Sequence, residues 1–231
     1  MFPWCFEDLR RAAACVALLA LAGCVAQPAR DGNVDRRSDN GAAPTARPVT
    51  PATVQVDEGL GFTVTEVATL GSDAREAHRE ALQRLAAANT AAAIELLRTV
   101  IERVPEATAP YIDLGIALGR QGAHEEAVEA LTSAVAVTPE HPVAHNELGI
   151  AYRRLGRFED ARRSYERALA VYPGFHYARR NLAVLCDLYL ADLECALENY
   201  RAYQASVVED AEVDMWLADL RNRMPTGSQE M

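Results

Sequence analysis

At 231 residues, half of them hydrophobic but only 6% aromatic, the chain suits one domain with appendages rather than two full domains. Its formal charge of −10 repels phosphate backbones and argues against nucleic-acid binding. All 23 basic residues are arginine, a bias that reflects codon usage in a GC-rich genome and carries no mechanism.

The N-terminus reads as an address. Arg10-Arg11 precede an apolar run, residues 12–22, that is too short to span a bilayer as a helix, which takes about 20 residues. The run closes on Leu21-Ala22-Gly23-Cys24. This resembles the lipobox of bacterial lipoproteins, in which small residues fit the signal peptidase and the cysteine thiol accepts a diacylglycerol. The resemblance implies loss of residues 1–23 and acylation of Cys24, palmitate being a typical chain, with each buried CH2 adding ~0.8 kcal/mol to membrane binding. Val25, rather than an aspartate, follows the cysteine, which implies outer-membrane placement facing the periplasm. The plain alternative is a membrane anchor or a buried helix.

Residues 24–57 are rich in Pro, Ala, Thr, Arg and Asp with few large apolar side chains, so they cannot bury enough surface to offset chain entropy. They read as a disordered tether, with a root-mean-square span of roughly 30 Å. Residues 58–72 read as an extended arm: Leu60 to Leu70 are β-branched and partly alternating. With no sheet to join, this arm is expected to lie against the first helices. Recruitment of a partner strand is the alternative.

From residue 73 to 206 a 34-residue period takes over. Residues 108–141 place Tyr111, Leu114, Gly115, Leu118, Ala127, Leu131, Ala134 and Pro139 where residues 142–175 place His145, Leu148, Gly149, Tyr152, Ala161, Tyr165, Ala168 and Pro173. Small residues at the eighth, twentieth and twenty-seventh positions let helices approach closely. Gly122 and Gly156 mark turns within the units, and Pro105, Pro139 and Pro173 end them. Upstream, Ala93, Leu97 and Val100 fit a second helix, but Glu80-Ala81 stand where Leu-Gly is expected. Downstream, Ala196, Tyr200 and Tyr203 fit only after a one-residue insertion.

This pattern resembles the tetratricopeptide repeat (TPR) family. The resemblance implies an all-α fold: a solenoid of about three to four helical hairpins after a disordered tether. Val213, Trp216, Leu217 and Leu220 recur at helical spacing. They predict a capping helix within residues 207–224 that covers the last open face, with Trp216 as part of its core. Residues 225–231 read as a disordered tail.

No phosphate-binding loop, nucleophile elbow or zinc helix is present in the sequence. His141 and His145 are four apart across Pro142, without a Cys or carboxylate ligand set. The reading is therefore a non-enzyme with no metal and no cofactor. Cys186 and Cys195 invite a disulfide in an oxidising compartment; the alternative is two small buried residues.

The resemblance implies a membrane-anchored periplasmic adaptor or scaffold that binds protein or peptide partners. Similar lipoproteins serve pilus, peptidoglycan, outer-membrane biogenesis or TonB-linked systems, and no motif selects among these. Repeat register puts Asn146, Ile150, Arg153 and Arg154 on the partner-binding side of one helix, followed by Arg179, Arg180 and Asn181 on the next. Arginines there could hold carboxylates. TPR domains that clamp a C-terminal carboxylate use Lys and Asn where this chain has Ile112 and Ile116, so that clamp is not reproduced. The alternative function is a chaperone or small-ligand carrier with an apolar groove formed by Ile112, Ile116 and Ile150.

Overall fold

The structure is a computed structural model and describes residues 53–57, 61–65, 69–207 and 210–224. The expected signal peptide with Cys24, most of the tether and the tail lie outside the described residues. Among the described residues nine α-helices follow in order: α1 (Ser72–Ala86), α2 (Thr90–Arg103), α3 (Thr108–Gln121), α4 (His124–Val137), α5 (Pro142–Arg154), α6 (Phe158–Val171), α7 (His176–Leu185), α8 (Leu193–Ser206) and α9 (Ala211–Arg223). They pair as four hairpins, α1–α2, α3–α4, α5–α6 and α7–α8, with α9 packed on α8. The fold is the all-α TPR solenoid. Successive first helices α1, α3, α5 and α7 touch one another, and their side away from the second helices is the inner face of the array.

The recurring residues explain the close packing. Ala81, Ala93, Ala127, Ala134, Ala161, Ala168, Ala183 and Ala196 are all fully buried. A Cβ on Gly149 would stand 2.5 Å from Cε1 of Tyr165, and one on Gly115 would collide with Leu131. Only hydrogen fits at these crossings, and the neighbouring ring or isobutyl group fills the space that a side chain would take.

Helix ends follow from local chemistry. Val104, Thr138 and Tyr172 each leave their helix in extended or near-extended geometry directly before Pro105, Pro139 and Pro173, because the proline ring crowds the helical conformation of its predecessor. The turn inside each hairpin carries one residue at positive φ: Ala88 at 58°, Gly122 at 87°, Gly156 at 73° and Ala191 at 53°. The left-handed conformation costs alanine about 1–2 kcal/mol and glycine almost nothing.

The fourth hairpin breaks the period, and the structure shows how. The extra residue is absorbed in a π-helical turn, Cys186–Leu190, that extends α7. Cys186 is bonded to Cys195 in the first turn of α8, with Cα atoms 5.9 Å apart, so this turn is covalently closed. Asp192 caps α8 by accepting from the Cys195 amide at 3.1 Å.

The segment before the solenoid corrects the sequence reading. Strand β1 (Thr53–Asp57) pairs antiparallel with β2 (Gly61–Thr65), so the last five residues of the expected tether form a strand, and the arm supplies the other half of a hairpin. Nor does it lie on the first helices. Phe62 sits 5.1 Å from the Tyr172 ring and 5.4 Å from that of Phe175, at the junction of the third and fourth hairpins. Helices α1 and α2 contain no Phe, Tyr or Trp, so they offer this ring no aromatic surface.

At the other end, Asp210 caps α9 through the amides of Glu212 and Val213. Val213, Leu217 and Leu220 are buried, and Trp216 packs on Tyr200 at 5.7 Å. No helix among the described residues is long and apolar enough to cross a membrane.

Candidate functional site

The inner face is built from residues that the repeat consensus leaves free. Leu82, Ile116, Ile150 and Val184 recur at 34-residue spacing and form an apolar row along α1, α3, α5 and α7. Leu82 is exposed and the other three are half-buried. Ile112, the third residue of the apolar groove expected for a carrier, is only 5% exposed and belongs to the core, so it does not line a groove.

Beside this row runs a polar ladder. Asp113 of α3 meets His78 of α1 at 2.7 Å. Asn181 of α7 donates to Asn146 Oδ1 at 2.9 Å, and Asn146 Nδ2 donates to Glu147 Oε1 at 2.9 Å. Asn146 is therefore buried and engaged by its neighbours. Burial pushes the Glu147 carboxyl up, opposed by the Asn146 hydrogen bond and by the nearby Arg120.

The arginines divide into two groups. Arg180 meets Glu212 at 3.0 Å and Asp210 at 3.9 Å, and lies 5.1 Å over the Trp216 ring. Arg179 donates to Asn199 at 3.1 Å. Helices α8 and α9 thus engage both, and the cluster expected from Arg153 to Asn181 is not one free surface. Arg120, Arg153 and Arg154 form no ion pair among the described residues, whereas Arg98, Arg162 and Arg223 each hold two carboxylates.

Arg153 is half-buried against the third hairpin. Its guanidinium lies 5.8 Å over the Tyr189 ring, within electrostatic range of the Tyr165 and Tyr189 phenols. Tyr189 and Leu188 project from the π-turn into solvent, Leu188 with 68% of its surface exposed. Sequence reasoning assigned Tyr165 to packing, where it lies fully buried, and did not single out Tyr189. It also missed Arg120, although a signal was present: Arg120 and Arg154 are 34 residues apart, on equivalent turns of α3 and α5.

His141 and His145 are both engaged. His141 Nδ1 accepts from the Ala144 amide at 3.3 Å, and His145 Nε2 donates to the Pro139 carbonyl at 2.8 Å. Burial, then the neighbouring His145, lowers the His141 pKa to about 4. Among the described residues, Cys186, Asp192 and Cys195 come close enough to hold an ion, but the two sulfurs are bonded to each other and offer no thiolate.

A tetratricopeptide repeat family model matches residues 142–175, and a second tetratricopeptide repeat model matches residues 84–146. Among solved structures, MamA 41-end from Desulfovibrio magneticus RS-1 is 19% identical with a TM-score of 0.60, over 67% of this chain and 87% of that one. TTC0263, a thermophilic TPR protein of Thermus thermophilus, is 26% identical with a TM-score of 0.56, over 64% and 81%. Pseudomonas aeruginosa pilF is 22% identical with a TM-score of 0.60, over 65% and 69%. A sequence comparison with curated proteins finds no match. These likenesses concern the fold.

Proposed function

From the premise that this chain is a tetratricopeptide repeat protein, a fold that serves as a scaffold for protein–protein interaction, we propose that it is a lipid-anchored adaptor of the bacterial cell envelope. Acylated Cys24 holds it on the outer membrane, facing the periplasm, and the inner face of the solenoid binds a protein partner. The observation that carries the binding role is the uncovered inner face itself, where the apolar row of Leu82, Ile116 and Ile150 runs beside Arg120, Arg153 and Arg154, none of them paired with a carboxylate among the described residues. Most of the other arginines among the described residues pair with a carboxylate, whereas these three stand together on one face beside an apolar row, a combination suited to a protein partner. Two features support the compartment: the Leu-Ala-Gly-Cys sequence at residues 21–24, and a bonded Cys186–Cys195 pair of the kind that persists in oxidising surroundings.

The test uses the native host. A photocrosslinking residue at Arg154 or Leu82 should yield a discrete adduct with an envelope protein, and one at Glu102, exposed on α2, should not. Cys24→Ser should move the protein out of the membrane fraction and remove the adduct. Equal adducts from both faces would defeat the groove, and full membrane retention of Cys24→Ser would defeat the anchor.

A further inference from the structure

We propose that the Cys186–Cys195 bond is a redox switch for the C-terminal cap: closed, it holds Asp187 where that carboxylate fastens α9 to the end of the array, and open, it lets α9 come off.

Helix α9 is poorly able to stand alone. It has 13 residues, near the length at which an isolated helix is marginal in water, and it packs chiefly on α8. Val213, Leu217 and Leu220 are buried, so the helix persists through docking. At its N-terminal end Tyr203 donates to the Asp210 cap at 2.8 Å, and Arg180 meets Glu212, whose side chain is 61% exposed. At its C-terminal end Arg223 donates to Asp187, whose side chain is only 4% exposed. Exposed pairs contribute little, whereas breaking a buried pair leaves an uncompensated charge and is strongly destabilising. The Tyr200 phenol of α8 faces the same carboxylate: burial, then the Asp187 charge, lifts its pKa above the ordinary value. Asp187 is thus where the turn after α7, helix α8 and helix α9 meet.

That carboxylate stands in a turn that ordinary helix geometry opposes. It follows Cys186 directly in the five-residue π-turn, and the turn leaves through Ala191 at a φ of 53°. Both conformations are costly for these residues. The constraint that keeps them is covalent, since the bond ties Cys186 to the first turn of α8 with the Cα atoms 5.9 Å apart. With the bond closed, Asp187 cannot turn independently of α8. With it open, α7 is free to resume α geometry from Cys186 onward, which carries the carboxylate away from Arg223 and Tyr200.

The chemistry is exchange with a dithiol of the oxidoreductase class. One thiolate attacks Sγ of Cys195, the half-buried member of the pair, and expels the thiolate of fully buried Cys186. The second sulfur of the dithiol then displaces Cys195 and closes the reductant's own disulfide. Two electrons and the two dithiol protons end on the cysteines. The reverse sequence, with a disulfide donor, fastens the cap. A chain in reducing surroundings therefore lacks a finished end, and export into an oxidising compartment finishes it. That last step rests on the proposed envelope placement; the switch itself does not.

Hydrogen exchange of the purified full chain, read by mass spectrometry, tests the switch apart from the anchor. After reduction with dithiothreitol, amides of α9 should exchange at least about tenfold faster while those of α3–α6 keep their rates. Trp216 supplies a second reading: with Trp4→Phe it is the sole tryptophan, and its emission should move to the red as it leaves Tyr200. Oxidised glutathione should restore both signals. Asp187→Asn with the bond closed should open α9 as reduction does, whereas Glu212→Gln should not. Unchanged α9 exchange on reduction, equal acceleration in all four hairpins, full α9 protection in Asp187→Asn, or equal opening in Glu212→Gln would each overturn the proposal. Full membrane retention of Cys24→Ser, by contrast, defeats the anchor and leaves the switch standing.

Discussion

The second and third hairpins share a backbone and differ in what they offer solvent. Both have glycine at the helix crossing, fully buried alanines in the second helix and proline after it. In the second, Leu131 fills the crossing and Gly119 leaves the next turn bare. In the third, Tyr165 fills the same crossing and Arg153 occupies the same turn, so a half-buried guanidinium rests beside a buried phenol. Packing positions dictate the scaffold, and chemistry is carried where packing does not dictate, or where a packing residue has a polar tip.

The comparison can be broken hardest at the crossing itself. Gly149→Leu should cost about 3 kcal/mol or more, since a rigid ring stands in the way. Gly115→Leu should cost less, because Leu131 can change rotamer. Urea midpoints of the two variants measure the difference, and equal midpoints would show that ring and isobutyl group yield alike.

The junction between the two hairpins supplies a second handle. His141 is neutral in the fold, with its pKa lowered to about 4 from the ordinary 6.5, and His145 is lowered too. The unfolded chain binds these protons first. The stability that neutral histidine contributes is therefore complete above pH 6.5 and is lost as pH falls toward 4, by on the order of 2–3 kcal/mol. His141→Asn keeps a capping acceptor but cannot titrate. Its urea midpoint should fall less than wild type between pH 7 and pH 4.5; parallel profiles would remove the histidine from the account.

The disulfide sharpens the contrast at the fourth hairpin. Cys195→Ser should cost about 2.5 kcal/mol in the chain-entropy model for so short a loop. Hydrogen exchange should rise in α7–α9 before it rises in α3–α6. Uniform acceleration would mean that the array unfolds as one block.

Smallest of all is the effect of Tyr165→Phe on stability. The hydroxyl makes no hydrogen bond of good geometry and has only the Arg153 guanidinium beside it, so the change should stay within about 0.5 kcal/mol of wild type. A large loss in a thermal melt would reveal a hydrogen bond to this phenol that holds the fold.

Much of this was legible in the residues. Leu148-Gly149 against Leu114-Gly115, with prolines at 105, 139 and 173, announces the hairpins because close crossings and extended exits tolerate few alternatives. The irregular fourth unit was visible as a slip in register, but its form, a π-turn, depends on how the backbone spreads one extra residue. Val54 and Val56 alternate with polar neighbours as a strand does, yet the surrounding Pro and Thr composition masked them. Arg153 and Arg154 were placed by register alone. Arg179 and Arg180 were misgrouped with them because the groups that engage them, Asn199 of α8 and Glu212 of α9, lie 20 and 32 residues further on, where no repeat rule reaches.

That last contact bears on how freely such an array can be rebuilt. Repeat proteins are treated as beads on a string, to be added, removed or exchanged. Here the terminal helix is keyed to one bead: Arg180 lies between Glu212 and the Trp216 ring, and its counterparts in the earlier hairpins are His78, Ile112 and Asn146. Moved onto a shortened array, the same helix would set Glu212 and Trp216 against an isoleucine or an asparagine. The length of this solenoid is written into its last joint, and changing the number of units means recutting that joint as well.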